Sequence, residues 1–303
     1  MKKITIIGAG DVGSHIASAC IHQNLNAQIY LVDINQKFEE AQILDLKDTL
    51  AFTKNTQIAG ADLADDVVKQ SDIFVITAGV RQKEGEDRIS LLDRNIKILK
   101  SIKSEIGEVK KSAIVILVTN PVDLLTQSAS EIFNLDKKQV FGTGTSLDSS
   151  RLKWHLAEAL NKKPNEIKAY VLGEHGDSSF VYWSDFKDAK KFSKEQKEKI
   201  QNIVRTQAYE IIEGKGSTYF GIGFVTSQIL KSIVGNENQI FSLSCCQSGE
   251  FGFEDISIGV LARVSNKGVK ILNKKLNKEE QKLFDISVKK MQKVLKKCIL
   301  CKI

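Results

Sequence analysis

Six residues near the start of the chain, Gly8-Ala9-Gly10-Asp11-Val12-Gly13, narrow what it can build more than any other segment. They follow an apolar run, Ile4-Thr5-Ile6-Ile7, and precede a stretch with helical periodicity from Ser14 onward. Between a strand and a helix such a pattern has a specific physical use. One glycine permits a tight turn, the next lets a pyrophosphate approach the backbone, and the third lets the helix pack closely. The helix N-terminus adds unpaired amides and the positive end of its dipole. Asp33 ends the next apolar run about twenty residues further on, where a carboxylate accepts hydrogen bonds from ribose hydroxyls and repels a 2′-phosphate. Gly8, Gly10, Gly13 and Asp33 are therefore candidate cofactor-binding residues, and the expected cofactor is NAD rather than NADP.

The first half of the chain extends this pattern. Ile4 to Ile7, Ala27 to Val32, Asp72 to Thr77 and Ala113 to Val118 read as buried strands, with amphipathic helical stretches between them. Continuous apolar strands separated by helices are what a parallel sheet covered on both faces requires. The expectation is an α/β, Rossmann-type doubly wound parallel sheet over residues 1–145, with no internal repeat. From residue 146 a long helix precedes a strand region, then helices near 191–213 and 218–233, strands near 239–272 and a last helix from about 278. That order predicts a second, α+β domain over residues 146–303, and 303 residues suffice for two cores.

Composition excludes several other classes. The net charge of +7 is spread through mixed runs such as Lys187 to Lys199, where Asp188, Glu195 and Glu198 interleave, as on a solvated helix face. With no basic patch carrying aromatics and no recognisable module, nucleic acid is not an expected partner. The positive surplus suits steering of small acids and phosphates. The first apolar run is too short for a signal peptide, and no stretch approaches the roughly 18 apolar residues of a membrane span. A cytoplasmic protein with no membrane partner is expected. The five cysteines are Cys20, the adjacent pair Cys245 and Cys246, and Cys298 and Cys301 near the end. They do not give the four-ligand spacing of a zinc site, so no metal is expected.

Three further segments carry ionisable groups suited to chemistry: 78–88 (Ala-Gly-Val-Arg-Gln-Lys-Glu-Gly-Glu-Asp-Arg), Leu147-Asp148-Ser149-Ser150-Arg151, and Gly173-Glu174-His175-Gly176-Asp177-Ser178. Asp148 and Arg151 stand three apart on a predicted helix and so share one face; on their own they read as an ordinary helical ion pair. His175 is one of four histidines and the only one in a glycine-flanked loop, where an imidazole can exchange a proton near neutral pH. The order and spacing of these segments resemble the L-lactate and malate dehydrogenase family. The resemblance runs nearly end to end, including Thr119-Asn120-Pro121-Val122-Asp123 and Gly216-Ser217-Thr218-Tyr219-Phe220-Gly221-Ile222.

The resemblance implies a hydride transfer between a nicotinamide and a 2-keto acid. It makes His175 the proton donor in pyruvate reduction and the acceptor in lactate oxidation, while His15, His22 and His155 match no family role. It makes Asp148 the orienter of the His175 ring and Arg151 the group that grips the substrate carboxylate with its planar fork. Segment 80–88 becomes a lid whose closure brings Arg88 onto the carbonyl oxygen, where charge develops. Asn120, before a cis proline, faces the substrate hydroxyl or the nicotinamide. Thr218 lies beside the substrate and Ile222 beside the nicotinamide ring. Val12, Gly79, Val80 and Ser101 resemble cofactor contacts, and Arg81 is placed near the pyrophosphate.

Within the family, neutral Gln82 separates the readings. Malate enzymes usually carry arginine there to pair a second carboxylate, so Gln82 favours pyruvate and L-lactate, with malate or a broader L-2-hydroxy acid as alternatives. A non-catalytic NAD-binding regulator would not need His175, Asp148, Arg88 and Arg151 together. Lys153 and Lys168 resemble positions where many bacterial lactate enzymes bind fructose 1,6-bisphosphate, and as lysines they hold phosphate as point charges without the guanidinium fork. The family also implies a homotetramer.

Overall fold

The computed structural model describes residues 1–80 and 88–298, with the backbone alone at Arg88. Six parallel strands form one half of a nine-stranded sheet: β1 (Lys2–Ile7), β2 (Ala27–Val32), β3 (Thr56–Gly60), β4 (Ile73–Ile76), β5 (Ile114–Leu117) and β6 (Val140–Gly142). Between them run α1 (Asp11–His22), α2 (Gln36–Asp48), the single turn α3 (Asp66–Lys69), α4 (Arg88–Ile106) and α5 (Val122–Phe133). In β4 and β5 every residue is buried, as a strand covered on both faces requires.

Strand order is β3-β2-β1-β4-β5-β6, so the chain winds outward in one direction from β1 and in the other from β4. That reversal opens a crevice at the carboxyl ends of β1 and β4, the place where ligands bind in open α/β sheets. β3 and β6 were not among the strands expected. β6 is only three residues long, and β3, Thr-Gln-Ile-Ala-Gly, alternates buried and exposed positions at the sheet edge, so neither carries a continuous apolar run.

The second half comprises α6 (Ser146–Leu160), a short hairpin of β7 (Val171–Leu172) and β8 (Phe180–Val181), α7 (Lys194–Lys215), α8 (Phe220–Val234), β9 (Ile240–Ser248), β10 (Glu254–Ser265), β11 (Gly268–Ile271) and α9 (Lys278–Lys297). β9 pairs antiparallel with β6, so the second half extends the same sheet. α7 begins with a reciprocal cap between Ser193 and Gln196 and stops at Gly216, whose φ of +83° favours a residue without Cβ. α9 begins with the same device, Asn277 with Glu280. The main core runs through the sheet and its helices, and a second cluster, including Leu152, Leu156, Val171, Val181, Phe186 and Val204, joins α6, α7 and the hairpin. Among the described residues, no helix is long and apolar enough to cross a membrane.

Candidate active site

At the carboxyl end of β1, Gly8 takes φ +106°. A Cβ on Gly13 would stand 1.8 Å from the Gly8 carbonyl oxygen, so the loop and the first turn of α1 touch only because both are glycine. At Gly10 nothing lies within 4 Å of an added Cβ; the space above the loop is open. No side chain caps α1 at Gly10, so its first amides remain available to an anion. Asp33 reaches back across the crevice: Oδ2 accepts from the Ala9 amide at 2.8 Å and Oδ1 from Asn35 at 3.0 Å. The open loop, uncapped amides and a carboxylate at the end of β2 fit a dinucleotide.

Beside this loop, two others cross the strand ends. Thr77 donates to the carbonyls of Ile7 and Gly8, both at 3.0 Å, and Thr119 to that of Ala78 at 2.8 Å. Gly79 packs so closely that a Cβ would meet the Thr119 methyl at 2.3 Å. Asn95, buried on α4, binds both loops at once: its oxygen accepts from the Val80 amide and its nitrogen donates to the Asn120 carbonyl, each at 2.8 Å. The Asn120–Pro121 peptide is cis. Ser101 lies exposed on α4, six residues and roughly 9 Å of helix beyond Asn95.

The ionisable centre forms where the first turns of α6 meet the loop after β7. That loop is entered at Gly173, φ +91°, which exchanges both backbone hydrogen bonds with Gly259 of β10 at 2.9 and 3.0 Å. His175 Nδ1 lies 2.7 Å from Asp148 Oδ2, and Arg151 Nη1 donates to Asp148 Oδ1 at 2.9 Å. Asp148 thus makes the i,i+3 ion pair that its spacing suggests and, with its other oxygen, holds the imidazole. Burial alone pushes the Asp148 carboxyl up, but His175 and Arg151 outweigh it and hold it below the usual carboxylate range. Burial also works against the charged form of His175; the Asp148 carboxylate, helped by Asp123, prevails and raises the imidazole above its ordinary value. The ring keeps 26% exposure, so with Nδ1 engaged its Nε2 is the atom left for a ligand.

Asp123, on the first turn of α5, had no role in the sequence reading beyond its motif. Its Oδ2 accepts the His175 amide at 2.8 Å. Burial pushes its carboxyl up to about 6, against the pull of the Ser244 hydroxyl and the His175 amide. Thr218 and Ile222 flank the start of α8, which is fastened to α1: Ser217 donates to Asp11 at 2.9 Å, and the His15 ring packs tilted against Tyr219 at 4.5 Å and edge-on against Phe220 at 4.9 Å. His22 and His155 pair with Ser18 and Gln207. All three of these histidines therefore make local contacts away from the Asp148 carboxylate.

Residues 2–142 match the model of the lactate/malate dehydrogenase NAD binding domain, and residues 145–300 that of the lactate/malate dehydrogenase alpha/beta C-terminal domain. The chain belongs to the lactate/malate dehydrogenase family. It is 36% identical to L-lactate dehydrogenase 2 of Lactococcus lactis subsp. lactis over 97% of each chain. It is also 36% identical to L-lactate dehydrogenase of Acetivibrio thermocellus, over 98% of this chain and 97% of the relative. Two solved structures superpose with a TM-score of 0.91: a lactate dehydrogenase, MGS-M5, from a Medee basin deep-sea metagenome library, 36% identical over 97% of this chain and 98% of that one, and the minor L-lactate dehydrogenase of Enterococcus mundtii in a ligands-bound form, 33% identical over 98% of each.

This lactate/malate dehydrogenase chain is an NAD-dependent oxidoreductase with a Rossmann fold followed by a C-terminal α/β domain. Of the expected site residues, Arg81, Gln82 and the Arg88 side chain lie outside the described residues, as does Cys301. Among the described residues, three contributors have no role that the sequence assigns: Asp123 beneath His175, Asn95 between two loops, and Glu174, buried against Lys290 and Ser178. The one available signal for Asp123 was its place in the Asn-Pro-Val-Asp motif.

Proposed function

We propose that this chain interconverts pyruvate and L-lactate, with His175 Nε2 carrying the proton. The observation that carries this reading is the shared carboxylate of Asp148, 2.7 Å from His175 on one oxygen and 2.9 Å from Arg151 on the other. An imidazole and a guanidinium are thereby held side by side on one carboxylate, which suits a proton donor working next to a carboxylate-binding cation. Relatives named L-lactate dehydrogenase, 35% and 36% identical over nearly the whole chain, support the choice of substrate.

When bound, NADH supplies the hydride. Gly8, Gly10, Val12 and Gly13 would hold its pyrophosphate, Asp33 would take the adenosine ribose hydroxyls, and Gly79, Val80, Ser101, Asn120 and Ile222 would supply the remaining contacts. Arg151 spends one N–H on Asp148; its remaining N–H groups grip the substrate carboxylate. Asp148 accepts from Nδ1, so His175 presents Nε2–H to the carbonyl oxygen and gives up that proton as the alcohol forms. The remaining imidazole is neutral; in lactate oxidation it accepts the hydroxyl proton. Thr218 borders the substrate methyl; the roles expected of Gln82 and Arg88 fall on groups outside the described residues.

NADH oxidation with pyruvate, oxaloacetate and longer 2-keto acids tests the reading, using wild type and His175→Asn. Pyruvate should be preferred. The variant should lose about 10²- to 10⁴-fold in kcat while NADH affinity, read by fluorescence titration, stays near wild type. Near-normal turnover in the variant would reject His175 as donor. Oxaloacetate preference would favour a malate enzyme, and NADH binding without turnover in wild type a regulator.

The same reading assigns residues 1–145 to the NAD-binding domain and 146–303 to the substrate domain, supported by the turn at Thr143 to Thr145 between β6 and α6. It places a homotetramer in the cytoplasm. We also propose weakened, salt-sensitive activation by fructose 1,6-bisphosphate through Lys153 and Lys168. Lys153 stands 5.4 Å over the Tyr170 ring, where burial lowers its pKa; Lys168 is exposed two residues before that ring. Lys153 follows Arg151 by two residues on α6, so phosphate held there acts on the arrangement that positions Arg151. Pyruvate saturation curves at low salt should shift left with the effector, and the shift should vanish in Lys168→Ala. Superimposable wild-type curves exclude regulation through these lysines.

A further inference from the structure

The loop that carries His175 is held on two sides. On one side Asp123 of α5 takes the His175 amide and Asp148 of α6 takes its ring. On the other side stands α9, more than a hundred residues later in the chain. Ser287, fully buried on α9, accepts from the Glu174 amide at 3.2 Å and donates to the Ser178 carbonyl at 2.7 Å. It also lies 3.0 Å from the Ser178 hydroxyl. One hydroxyl therefore spans the loop from its second residue to its sixth. The Glu174 side chain, 5% exposed as a residue, is directed the same way: Lys290, one turn further along α9, reaches its Oε2 at 2.7 Å, and the Ser178 hydroxyl donates to that same oxygen.

The close packing of this face leaves little slack. A Cβ at Gly173 would meet the Ser287 hydroxyl at 2.7 Å, and one at Gly176 would meet Glu174 Oε1 at 3.1 Å. Gly173 and Gly176 thus let the loop lie down on the Glu174 side chain and on α9. Lys290 thus sets a cation directly against this buried carboxylate. α9 has another anchor at its start, where Glu280 accepts from the Ser184 amide at 2.8 Å and takes the Ser184 hydroxyl at 2.5 Å. It is fixed before it reaches the loop.

We propose that Ser287 and Lys290 are positioning residues of the reaction, holding the Glu174–Ser178 loop on α9 so that the His175 ring stays on Asp148. The proposal rests on His175 being the proton donor. Among the described residues, the groups facing that ring or its backbone are Asp148 and Arg151 from α6 and Asp123 from α5, with Glu174 on its own loop and Lys290 behind it on α9. Release of the loop from α9 loosens the ring from Asp148, the neighbour that most raises its basicity.

Ser287→Ala removes the hydroxyl and leaves a good helix former in place. Expected are a fall in kcat for pyruvate reduction of roughly ten- to a hundredfold, the cost of small misplacement at a reacting centre, and unchanged NADH affinity. The alkaline limb of the kcat/KM profile should move to lower pH, because pyruvate reduction needs protonated His175. A folded variant with wild-type kcat and an unmoved limb overturns the proposal. So does a loss of activity that matches loss of folded protein with the limb unmoved. Lys290, one-third exposed, supplies the second arm if Ser287→Ala does not fold: Lys290→Met should lower kcat and Lys290→Arg should restore it. Equal activity in Lys290→Met and wild type removes Lys290 from the device. His175→Asn run alongside separates the two failures. If it keeps turnover, the donor assignment is wrong; if it is inactive while the α9 variants match wild type, only the role of α9 fails.

Discussion

At the scale of single residues, the site depends on two oxygens of one carboxylate. Asp148 shares itself between His175 and Arg151, so the charges sit in the order imidazolium, carboxylate, guanidinium along a buried edge. The raised imidazole and lowered carboxyl set a pH window. Stabilisation from His175 is present below its unfolded pKa and is lost as pH rises through the raised folded value. Stabilisation from Asp148 is present above its unfolded pKa and is lost as pH falls through the lowered folded value. Asp148→Asn should therefore bring the alkaline limb of pyruvate reduction to lower pH and cut kcat by about 10²- to 10⁴-fold. A pH–rate profile checks this, and an unmoved limb would show that Asp148 does not set the basicity of His175. The sequence pointed to 148, 151 and 175 because each stands in a compact motif. It did not point to Asp123 as a partner, since the hydrogen bond from His175 spans 52 positions, and nothing local marks a carboxylate as buried. The companions of Glu174 on α9 were equally invisible, at a separation of 113 for the Ser287 contact.

At the scale of elements, the strand ends are joined into one floor by side chains that cross between loops. Thr77, Asn95 and Thr119 each bond the backbone of a neighbouring loop, and the glycines at 8, 13 and 79 remove the atoms that would hold those loops apart. Gly13→Ala tests how far the cofactor end relies on this. Its methyl group would sit 1.8 Å from a backbone oxygen, and no rotamer change can relieve a backbone clash. The loop must move, so NADH affinity should fall at least tenfold while the His175–Asp148 pair, built on α6 and the loop after β7, stays in place. Fluorescence titration gives the affinity; wild-type binding would mean that α1 can shift along β1 without consequence. Most of this architecture was legible beforehand. β2 matches its expected bounds, and α6 and α9 begin where the periodicity put them. The misses, β3 and β6, are strands specified by their neighbours in the sheet rather than by their own residues.

At the scale of the whole molecule, the surface says more about assembly than the site does. α1 packs on α8 and touches α2, so these three helices share one side of the fold. That side exposes Leu44 at 65% and Phe52 at 90%, on and just after α2, and Phe220 and Phe224 at 65% and 54% on α8. Phe220 and Phe224 stand four apart and so present together on one helix face. Scattered apolar residues on a surface need no explanation, but large side chains gathered on one side suit the contact that the proposed homotetramer requires. The helices concerned adjoin the candidate site: α1 follows the glycine loop, and α8 follows Thr218. Assembly through this side would restrain both, since His15 of α1 already packs against Tyr219 and Phe220. Sedimentation at micromolar concentration should therefore give a multiple of the chain mass. Phe52→Lys with Phe224→Lys, which sets two charges on the apolar face, should shift the population to monomer and raise KM for pyruvate more than it lowers NADH affinity. A wild-type chain that sediments as a monomer would overturn the assembly, and a double variant that keeps the larger mass would place the contact between subunits on another face.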